Sequence, residues 1–482
     1  MSLYATQLEC LLALLAIGTL LTDAFRPSGD KRKLGCVLAG LVAMALAASF
    51  LMPTLPEPLF HGMYRLDAFA LFFKRLFLLA TAFVLLMGAE FAERFETGVS
   101  EFYALVLLAA TGMLVIASVN DFILLFVALE LVTITFYVLT SFLRRQSQSL
   151  EAGTKYLILG ALSSGFTVYG IAYIFGTTGT TNFDTLAEIL RTQAGTPAPP
   201  FILGMLLVLT GLGFKIASVP FQIWAPDVYQ GAPTPVTAFL AVGSKAAGFA
   251  LLLRVMMTGL LPVRGVWMPV ILVLSAATLL YGNLGAISQH NIKRLLGYSS
   301  IGHAGYMLMG VAAVNQLGVQ AVMFYLVQYA FTNLGAFLAI ITVTGATKSE
   351  EIASFAGLGK RSPILGVALF LSMASLAGIP PLSGFFGKFQ LFAAVVQAAQ
   401  HDGRYYVLAL IGAGAVVVSL YYYFNVARAI YIEEASDATP IAVSLPARAG
   451  LYVCMLAMIG LGIYQRPLVD AVNMAAKVFS LR

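Results

Sequence analysis

Five titratable side chains lie within long apolar stretches of the sequence: Glu130, Lys215, Lys245, His303 and Lys388. If those stretches cross a lipid bilayer, each charged group costs on the order of 2.5–3.5 kcal/mol on insertion scales, so such groups usually mark a transport pathway. Desolvation favours the neutral amine of a lysine and a nearby carboxylate favours the ammonium ion, so movement of one helix could load or release a proton. One acid and three lysines therefore predict a proton relay and not a catalytic triad.

The local sequence suggests how the first three charges are tolerated. Glu130 has no acidic neighbour in its apolar run, so it needs a basic partner or water; the alternative is a buried ion pair that only fixes helix packing. Lys215 comes five residues before Pro220, where carbonyls freed by a helix break could solvate the ammonium group. Lys245 lies deep in its helix among small residues; the alternative is that it only holds helices together.

The other charged positions also allow two interpretations. Lys388 follows a second break and is the counterpart of Lys215 in the other half, although on the opposite side of its proline. His303 is a candidate relay group because free imidazole titrates near neutral pH; the alternative is a neutral histidine hydrogen-bonded between helices. Lys74 and Arg75 stand near the start of their apolar stretch, and we expect both to snorkel to the membrane interface.

The overall composition indicates a membrane protein. Of 482 residues, 60% are hydrophobic and 10% are charged, and the mean hydropathy is +0.89, which excludes a soluble globular protein. The net charge is +6, but the basic residues are scattered over short loops between apolar segments. Orientation in the membrane explains these charges better than binding to nucleic acid does.

The sequence contains no pattern typical of a metal or redox centre. Cys10, Cys36 and Cys454 occur singly in apolar stretches, and none has the CxxC spacing of an iron–sulfur or zinc site. The four histidines are too dispersed to supply paired haem ligands. No phosphate loop or dinucleotide-binding fingerprint is recognisable. We therefore expect no cofactor or metal in this chain.

Hydropathy predicts fourteen membrane-spanning helices, so the fold class is an all-α polytopic membrane protein. The first run is kept as helix 1, since it lacks the basic start and small-residue cleavage site of a signal peptide. The predicted spans are 3–21, 34–52, 66–88, 102–119, 121–142, 156–176, 201–222, 235–257, 268–287, 295–313, 317–345, 363–397, 405–432 and 447–466.

The distribution of basic residues tests this count. Loops after even-numbered helices carry five: Arg65, Arg191, Arg254, Arg264 and Arg404. Loops after odd-numbered helices carry fifteen: Arg26, Lys31, Arg32, Lys33, Arg94, Arg144, Arg145, Lys155, Lys293, Arg294, Lys348, Lys360, Arg361, Arg428 and Arg448. Positively charged loops stay in the cytoplasm, so this imbalance predicts cytoplasmic odd loops and both chain ends on the outside.

Two helices contain prolines in the middle of an apolar stretch, at Pro220 and Pro380. Proline removes a backbone donor and clashes with the preceding turn, so helices 7 and 12 should be broken there. Paired breaks in two halves of a membrane protein indicate a transport site. The prolines lie 160 residues apart, which fits two five-helix units, and an odd number of helices per unit inverts the second copy.

We therefore predict one membrane domain over residues 1–482 with internal symmetry. Helices 1–3 occupy residues 1–100 and helices 4–8 form a first repeat in 101–258. Helices 9–13 form an inverted second repeat in 266–432, and helix 14 with a short tail occupies 447–482. The tail is too short for a further crossing or a long lateral helix.

Five sequence strings resemble the antiporter-like membrane subunits of bacterial respiratory complex I. The strings are 213–221 (GFKIASVPF), 224–235 (WAPDVYQGAPTP), 291–301 (NIKRLLGYSSI), 375–380 (SLAGIP) and 387–389 (GKF). The resemblance extends over essentially the whole chain. It implies fourteen helices, two inverted five-helix repeats and two broken helices, in agreement with the expectations from hydropathy, proline and charge.

The resemblance also implies roles for the five side chains. Glu130 matches the family's helix-5 glutamate and Lys215 its helix-7 lysine, whose charge the glutamate tunes. Lys245 matches the central lysine of helix 8, through which protons pass together with water. Lys388 matches the helix-12 lysine that faces one exit, and His303 is a candidate between the last two.

The function implied is proton translocation by a subunit of NADH-quinone oxidoreductase in the bacterial inner membrane. Other membrane subunits, including antiporter-like neighbours, would surround the chain in the bilayer. NADH, FMN, iron–sulfur clusters and quinone would belong to partner subunits. Two alternatives remain: a subunit of a multi-subunit sodium/proton antiporter, and a structural subunit whose buried charges only hold helices together.

Overall fold

The computed structural model describes residues 2–25, 30–95, 97–192, 197–435, 437 and 439–479. The described residues form helices and a few isolated β-bridges. Fourteen helices correspond one to one with the predicted spans, which confirms the all-α polytopic fold. They are α1 (Gln7–Phe25), α2 (Lys31–Ser49), α3 (Ala68–Phe91), α4 (Val99–Ala117), α5 (Phe122–Thr140), α6 (Ser147–Thr178), α7a (Pro199–Ile216) with α7b (Trp224–Gly231), α8 (Thr234–Gly259), α9 (Arg264–Ala286), α10 (Ile292–Ala312), α11 (Gln316–Thr347), α12a (Pro363–Ala377) with α12b (Ser383–Ala399), α13 (Arg404–Tyr431) and α14 (Leu445–Ile463).

Twelve helical spans in the described residues are individually long and apolar enough to cross a membrane. The two predicted spans that do not meet this measure are α10 and the broken α12. Helix α10 contains Lys293, Arg294 and His303, and α12 is divided into two shorter pieces. Both therefore depend on the surrounding helices, and not on their own hydropathy, for a place in the bilayer.

Polar side chains at the N-caps fix where several helices begin. The first backbone N–H groups of a helix have no partner within the helix, and a capping carboxylate or amide oxygen accepts from them. Asp67 caps α3 by accepting from the Ala70 N–H, and Asn291 caps α10 by accepting from the N–H groups of residues 293 and 294. Asp121 accepts from the Ile123 N–H, so α5 begins directly after the short connection that separates it from α4.

Contacts between loops support the predicted order of crossings, because four such contacts each join loops of the same parity. After even-numbered helices, Tyr64 pairs with Val119, and Asp121 pairs with Asn182. After odd-numbered helices, Asn291 pairs with Glu351 and the Ile441 N–H donates to the Arg361 carbonyl. An odd error in the helix count would place these partners at opposite ends of the bundle.

Helices 7 and 12 are broken, as the prolines predicted. Ala217 is the C-cap of α7a and Gly378 is the C-cap of α12a, and both are in the left-handed conformation, with φ of 58° and 89°. The next residue in each case donates back to a carbonyl five residues earlier, which is the Schellman arrangement for closing a helix. Aligning these two ends places Pro381, and not Pro380, opposite Pro220, so the predicted correspondence between the prolines is wrong by one residue.

Helix α8 occupies the centre of the described bundle and is buried along its length. It packs against α3, α4, α7a and α11. Two π-helical segments, Leu240–Ser244 and Val255–Gly259, flank the α-helical stretch that carries Lys245. Such segments are rare and occur mostly at functional sites. The outer helices α1, α2, α6 and α13 instead expose many apolar side chains, as expected of a surface that faces lipid.

A short helix, Arg466–Ala476, follows α14 and packs against α3 and α11. Its extension brings the Phe479 ring against the Phe69 ring at the start of α3, with centroids 5.0 Å apart. The described part of the tail therefore folds back onto the bundle. The division into two repeats stays a prediction, supported by the matching ends of the two broken helices.

Candidate functional site

Lys215 lies in the last turn of α7a, next to the helix break. Its side chain is 4% exposed. The ammonium nitrogen donates a hydrogen bond to Thr133 Oγ1 of α5 at 3.2 Å and lies 5.8 Å from the centre of the Phe136 ring. Both partners are neutral, so they contribute a weak hydrogen bond and a cation–π contact without supplying a counter-ion.

Glu130 stands one turn before Thr133 on α5 and is half-buried. Ser164 of α6 donates a hydrogen bond to its carboxylate. In the described part of the chain, no ion pair within 4.0 Å includes Glu130, so the structure does not contain the buried ion pair considered as an alternative. Glu130 instead lies one helical turn from Thr133, the α5 residue that accepts a hydrogen bond from Lys215. A carboxylate beyond ion-pair distance but still near a lysine stabilises the ammonium ion through space.

Lys245 begins the α-helical stretch of α8 directly after a π-helical segment, and it is 2% exposed. Its Nζ donates to the backbone carbonyl of Ser300 in α10 at 2.5 Å. The Ser300 hydroxyl in turn shares a hydrogen bond with the Tyr229 hydroxyl of α7b at 2.9 Å. Among the described ion pairs, none includes Lys245, so this central lysine also has only neutral partners.

Lys388 lies in the second turn of α12b and reaches back across the break. Its Nζ donates to the Ala377 carbonyl at 2.9 Å and lies 5.0 Å from the centre of the Tyr306 ring. Ala377 is the last residue of α12a, where the carbonyls have no partner within the helix and the helix dipole is negative. The break in α12 therefore creates the binding site for the lysine.

His303 is buried between three helices and both of its ring nitrogens are engaged. Nδ1 is 2.7 Å from the Tyr325 hydroxyl of α11, and Nε2 is 2.9 Å from the Tyr423 hydroxyl of α13. A neutral imidazole has one donor and one acceptor nitrogen, and a hydroxyl can serve either. The contacts thus satisfy a histidine that bridges helices, and they also suit a group that passes a proton.

Several tyrosines and serines around these charges were missed from the sequence. The Tyr423 hydroxyl also lies 2.5 Å from Ser299 Oγ, one turn before His303 on α10. Tyr329 lies one turn after Tyr325 on α11, and its ring centre is 5.1 Å from that of His303. Recurring tyrosines at a spacing of four in an apolar helix were the available signal. On their own, they are equally typical of packing.

The prediction that Lys74 snorkels to the interface is wrong. Its side chain has no exposed surface, and Nζ lies 2.6 Å from both Glu9 Oε1 of α1 and the Tyr64 hydroxyl. Glu9 is therefore a buried acid that was missed, because it stands close to the start of the chain. Arg75 is partly buried and donates to the Ser49 carbonyl at 3.0 Å, above the Phe50 ring.

Two of the basic residues assigned to loops are buried within helices. Arg254 is 1% exposed in α8 and forms a bidentate pair with Asp67, at 2.6 and 2.9 Å. Lys293 is 3% exposed in the first turn of α10, where it pairs with Glu350 at 2.8 Å and donates to the Ala232 carbonyl. In both cases the partner carboxylate offsets the cost of desolvating the basic group.

A surface network ties α6, α7b and α10 together at the end of the bundle that carries the odd-numbered loops. Asp227 accepts from Lys155 and from Arg294, each at 2.6 Å. Asp227 belongs to one of the strings that carry the family resemblance, but its sequence context gave no role. Across the described ranges, no group of three or more His, Cys, Asp or Glu side chains could hold a metal ion.

Comparison with known proteins shows the family. A family model described as NADH:quinone oxidoreductase/Mrp antiporter, TM, matches residues 119–419. NADH-quinone oxidoreductase subunit N of Desulforamulus reducens is 41% identical over 475 residues, which cover 98% of each chain. The protein of the same name from Moorella thermoacetica is 40% identical over 480 residues, which cover 99% of each chain.

Solved structures share the fold. A chain of respiratory complex I from Thermus thermophilus superposes with a TM-score of 0.80 at 33% identity, covering 97% of this chain and 99% of that chain. A chain of the Mrp complex from a Dietzia species superposes with a TM-score of 0.84 at 23% identity, covering 99% and 98% of the two chains, which shows the fold alone. On the strength of the full-length sequence relatives, the chain belongs to the NADH-quinone oxidoreductase subunit N family.

Proposed function

We propose that this chain moves protons across the bacterial inner membrane as an antiporter-like subunit of NADH-quinone oxidoreductase. The protons pass along Glu130, Lys215, Lys245, His303 and Lys388, together with intervening hydroxyl groups and water. Oxidation of NADH and reduction of quinone take place in other subunits and drive this movement. Both termini lie on the periplasmic side, as the fifteen basic residues in odd-numbered loops favour.

One observation carries the proposal: three buried lysines and a buried histidine hydrogen-bond only to neutral groups. Lys215, Lys245, Lys388 and His303 are each at most 4% exposed. Their hydrogen-bond partners are hydroxyls and backbone carbonyls. A permanently charged lysine would demand a carboxylate in this setting, whereas hydroxyl and carbonyl partners accept a hydrogen bond from either the amine or the ammonium ion. Such a lysine can gain and lose a proton without breaking its contacts.

The buried pairs elsewhere in the bundle provide an internal contrast. Lys74 and Arg254 are equally buried, but each faces a carboxylate at 2.6 Å. Each of those pairs joins a basic and an acidic side chain, as expected of a buried salt bridge that holds helices together. The four buried groups on the proposed path have no such acidic partner among the described contacts. They lie on the two broken helices, α7a and α12b, and on α8 and α10 between them. Their arrangement therefore supports transport over simple helix packing.

Glu130 has a different task from the lysines. It lies outside ion-pair distance of Lys215 but one turn from Thr133, the hydrogen-bond partner of that lysine. Its charge therefore shifts the balance between the amine and the ammonium ion without locking the proton in place. At the other end of the proposed path, Lys388 faces the carbonyl end of α12a, which favours the ammonium ion.

The cofactors and partners follow from this assignment. We place NADH, FMN, the iron–sulfur clusters and quinone in partner subunits, because this chain supplies proton carriers. The exposed apolar faces of the outer helices contact lipid and neighbouring membrane subunits, including other antiporter-like chains.

The direct test is NADH-driven proton uptake into inverted membrane vesicles that carry Lys215→Ala in the assembled complex. Uptake is normalised to NADH oxidation and to the amount of complex. We expect a decrease in uptake or in coupled turnover with assembly intact. Lys33→Ala is the control, because Lys33 is exposed at the start of α2, a helix that carries none of the five proposed proton carriers. Normal uptake in Lys215→Ala would remove the main support for the relay.

Two further outcomes identify the alternatives. Uptake that persists only when sodium is present would favour the sodium/proton antiporter. Loss of uptake in strict proportion to loss of assembled complex would favour a purely structural role for the buried charges. A defect that is independent of sodium, in a normally assembled complex, supports proton translocation coupled to NADH oxidation.

A further inference from the structure

A chain of four hydrogen-bonding side chains runs through the second half of the protein. Tyr423 of α13 is its centre, because one hydroxyl contacts two side chains of α10. The Tyr423 hydroxyl lies 2.5 Å from Ser299 Oγ and 2.9 Å from His303 Nε2. His303 Nδ1 then lies 2.7 Å from the Tyr325 hydroxyl of α11. All four side chains are at most 3% exposed.

The two ends of this chain approach the two lysines of the proposed path. At one end, Ser299 is the neighbour of Ser300, whose carbonyl accepts from Lys245. At the other end, the Tyr325 ring lies against Gly387, the residue before Lys388; a Cβ on that glycine would come within 3.0 Å of the ring. The side chains therefore lie between the central lysine and the lysine of α12b.

We propose that the Tyr423 hydroxyl carries the proton between Ser299 and His303, an inference that rests on the proposed function. A group in such a chain must both donate and accept hydrogen bonds. Serine, tyrosine and neutral histidine meet this requirement, and a backbone carbonyl does not. Without the Tyr423 hydroxyl, Ser299 and His303 lose the atom that links them, although both stay on the same helix.

The transfer conserves protons and leaves each group with its original charge. A proton that arrives at Ser299 Oγ displaces the proton of that hydroxyl onto Tyr423 Oη. Tyr423 passes its own proton to His303 Nε2, and His303 releases the Nδ1 proton to Tyr325 Oη, which passes on the proton it held. One proton enters and one leaves, no electron is transferred, and rotation of the hydroxyls with return of the imidazole tautomer resets the chain.

Tyr422 supplies a matched comparison within the same helix. Its ring centre is 4.4 Å from that of Tyr423, and both side chains are 2% exposed. Its hydroxyl, however, donates to Asn283 Oδ1 of α9 at 3.0 Å, and none of the described hydrogen bonds joins it to Ser299 or His303. Removing either hydroxyl deletes one buried hydrogen-bonding group from α13, but only one of the two deletions interrupts the proposed chain.

The experiment compares Tyr423→Phe with Tyr422→Phe in the assembled complex in inverted vesicles. We expect Tyr423→Phe to lower NADH-driven proton uptake about tenfold or more, since a positioned acid–base group contributes about a hundredfold or more to a proton transfer. Tyr422→Phe should keep most of its uptake. In Tyr423→Phe the proton step should limit the rate, so the ratio of the uptake rates in ordinary and heavy water should be larger than in the unmodified protein. A packing defect would leave this ratio unchanged.

Lys245→Met, measured in parallel, separates this inference from the proposed function. If Lys245→Met is defective but Tyr423→Phe behaves like Tyr422→Phe, the tyrosine is a packing residue and the inference is wrong. If Lys245→Met also pumps normally, the proposed function itself fails. If Tyr423→Phe does not assemble, Ser299→Ala decides: the inference requires the same loss of uptake, and normal uptake overturns it.

Discussion

Lys388 of α12b donates a hydrogen bond to the carbonyl of Ala377, the last residue of α12a, across the break that separates the two halves of one membrane-spanning helix. The helix thus binds its own lysine at the end where its dipole is negative. A continuous helix would satisfy that carbonyl internally and leave no acceptor. The broken geometry and the lysine are therefore two parts of one feature.

This relationship predicts that proton uptake requires both the hydrogen-bond donor and the exchangeable proton of Lys388. We expect Lys388→Met to abolish coupled proton uptake, since methionine fills the space but cannot donate to Ala377 or carry a proton. Lys388→Arg keeps the donor but holds its proton permanently, and it should be nearly as defective. Proton uptake per NADH oxidised, at equal complex content, is the measurement. An active Lys388→Arg would show that charge alone suffices.

Glu130 and Lys215 predict a graded effect. Since no direct ion pair joins them in the described structure, Glu130→Gln should weaken control of the lysine without unfolding the site. We expect partial loss of proton uptake, smaller than that of Lys215→Ala. Ser164→Ala removes the hydroxyl that donates to the Glu130 carboxylate and should have a milder effect of the same kind. Vesicle uptake measurements on the three variants give the order, and a Glu130→Gln defect as large as that of Lys215→Ala would contradict action through space.

Glu9 and Lys74 predict a stability effect and not a transport effect. Removing one partner of a buried ion pair leaves an unpaired charge and costs about 3–5 kcal/mol, whereas replacing both by apolar residues often costs much less. Glu9→Ala and Lys74→Met should each lower the melting temperature of the purified complex, and the double variant should recover part of the loss. The Tyr64 hydroxyl, which contacts both side chains, limits that recovery. A double variant whose loss equals the sum of the two single losses would mean that the pair is not coupled.

Proton uptake of these variants distinguishes buried charges that only form an ion pair from buried charges that carry protons. At a temperature where the variants of Glu9 and Lys74 are folded, we expect normal uptake per assembled complex. A transport defect in the double variant at full assembly would place the N-terminal pair on the proton path.

The sequence predicted the fold better than it predicted the surroundings of the charges. Fourteen spans and two breaks follow from apolar length and from proline, signals that each helix carries within itself. The partners of Lys74 and Arg254 could not be found in this way, because Glu9 and Asp67 lie on other helices. A lone charge near the end of an apolar run looks the same whether it snorkels or pairs with a distant carboxylate.

The candidate site shows the same limit. Glu130, Lys215, Lys245 and Lys388 were identifiable because charge in an apolar run is conspicuous. Tyr423 was not, since a tyrosine in a membrane helix costs little and usually indicates packing or an interface. Its role depends on a hydroxyl that meets two residues of another helix more than a hundred positions away. Only the folded arrangement of α10 and α13 brings them together.

The end of α12a predicts a further, local effect on Lys388. Gly378 has φ of 89°, and a Cβ added there would lie 3.0 Å from Lys388 Cδ. Gly378→Ala should therefore strain the backbone and displace the lysine from the Ala377 carbonyl. Gly179 is the matched control: it closes α6 with φ of 73°, and nothing lies within 4 Å of an added Cβ.

Both alanine substitutions place a side chain in the left-handed region, at a cost of about 1–3 kcal/mol. We expect similar losses of thermal stability from Gly378→Ala and Gly179→Ala, but reduced proton uptake only from Gly378→Ala. Melting temperature and vesicle uptake, measured on the same assembled complexes, separate the two effects. If both variants lose uptake equally, backbone strain is the cause; if neither does, the Lys388 side chain moves aside at Gly378 and still reaches its carbonyl.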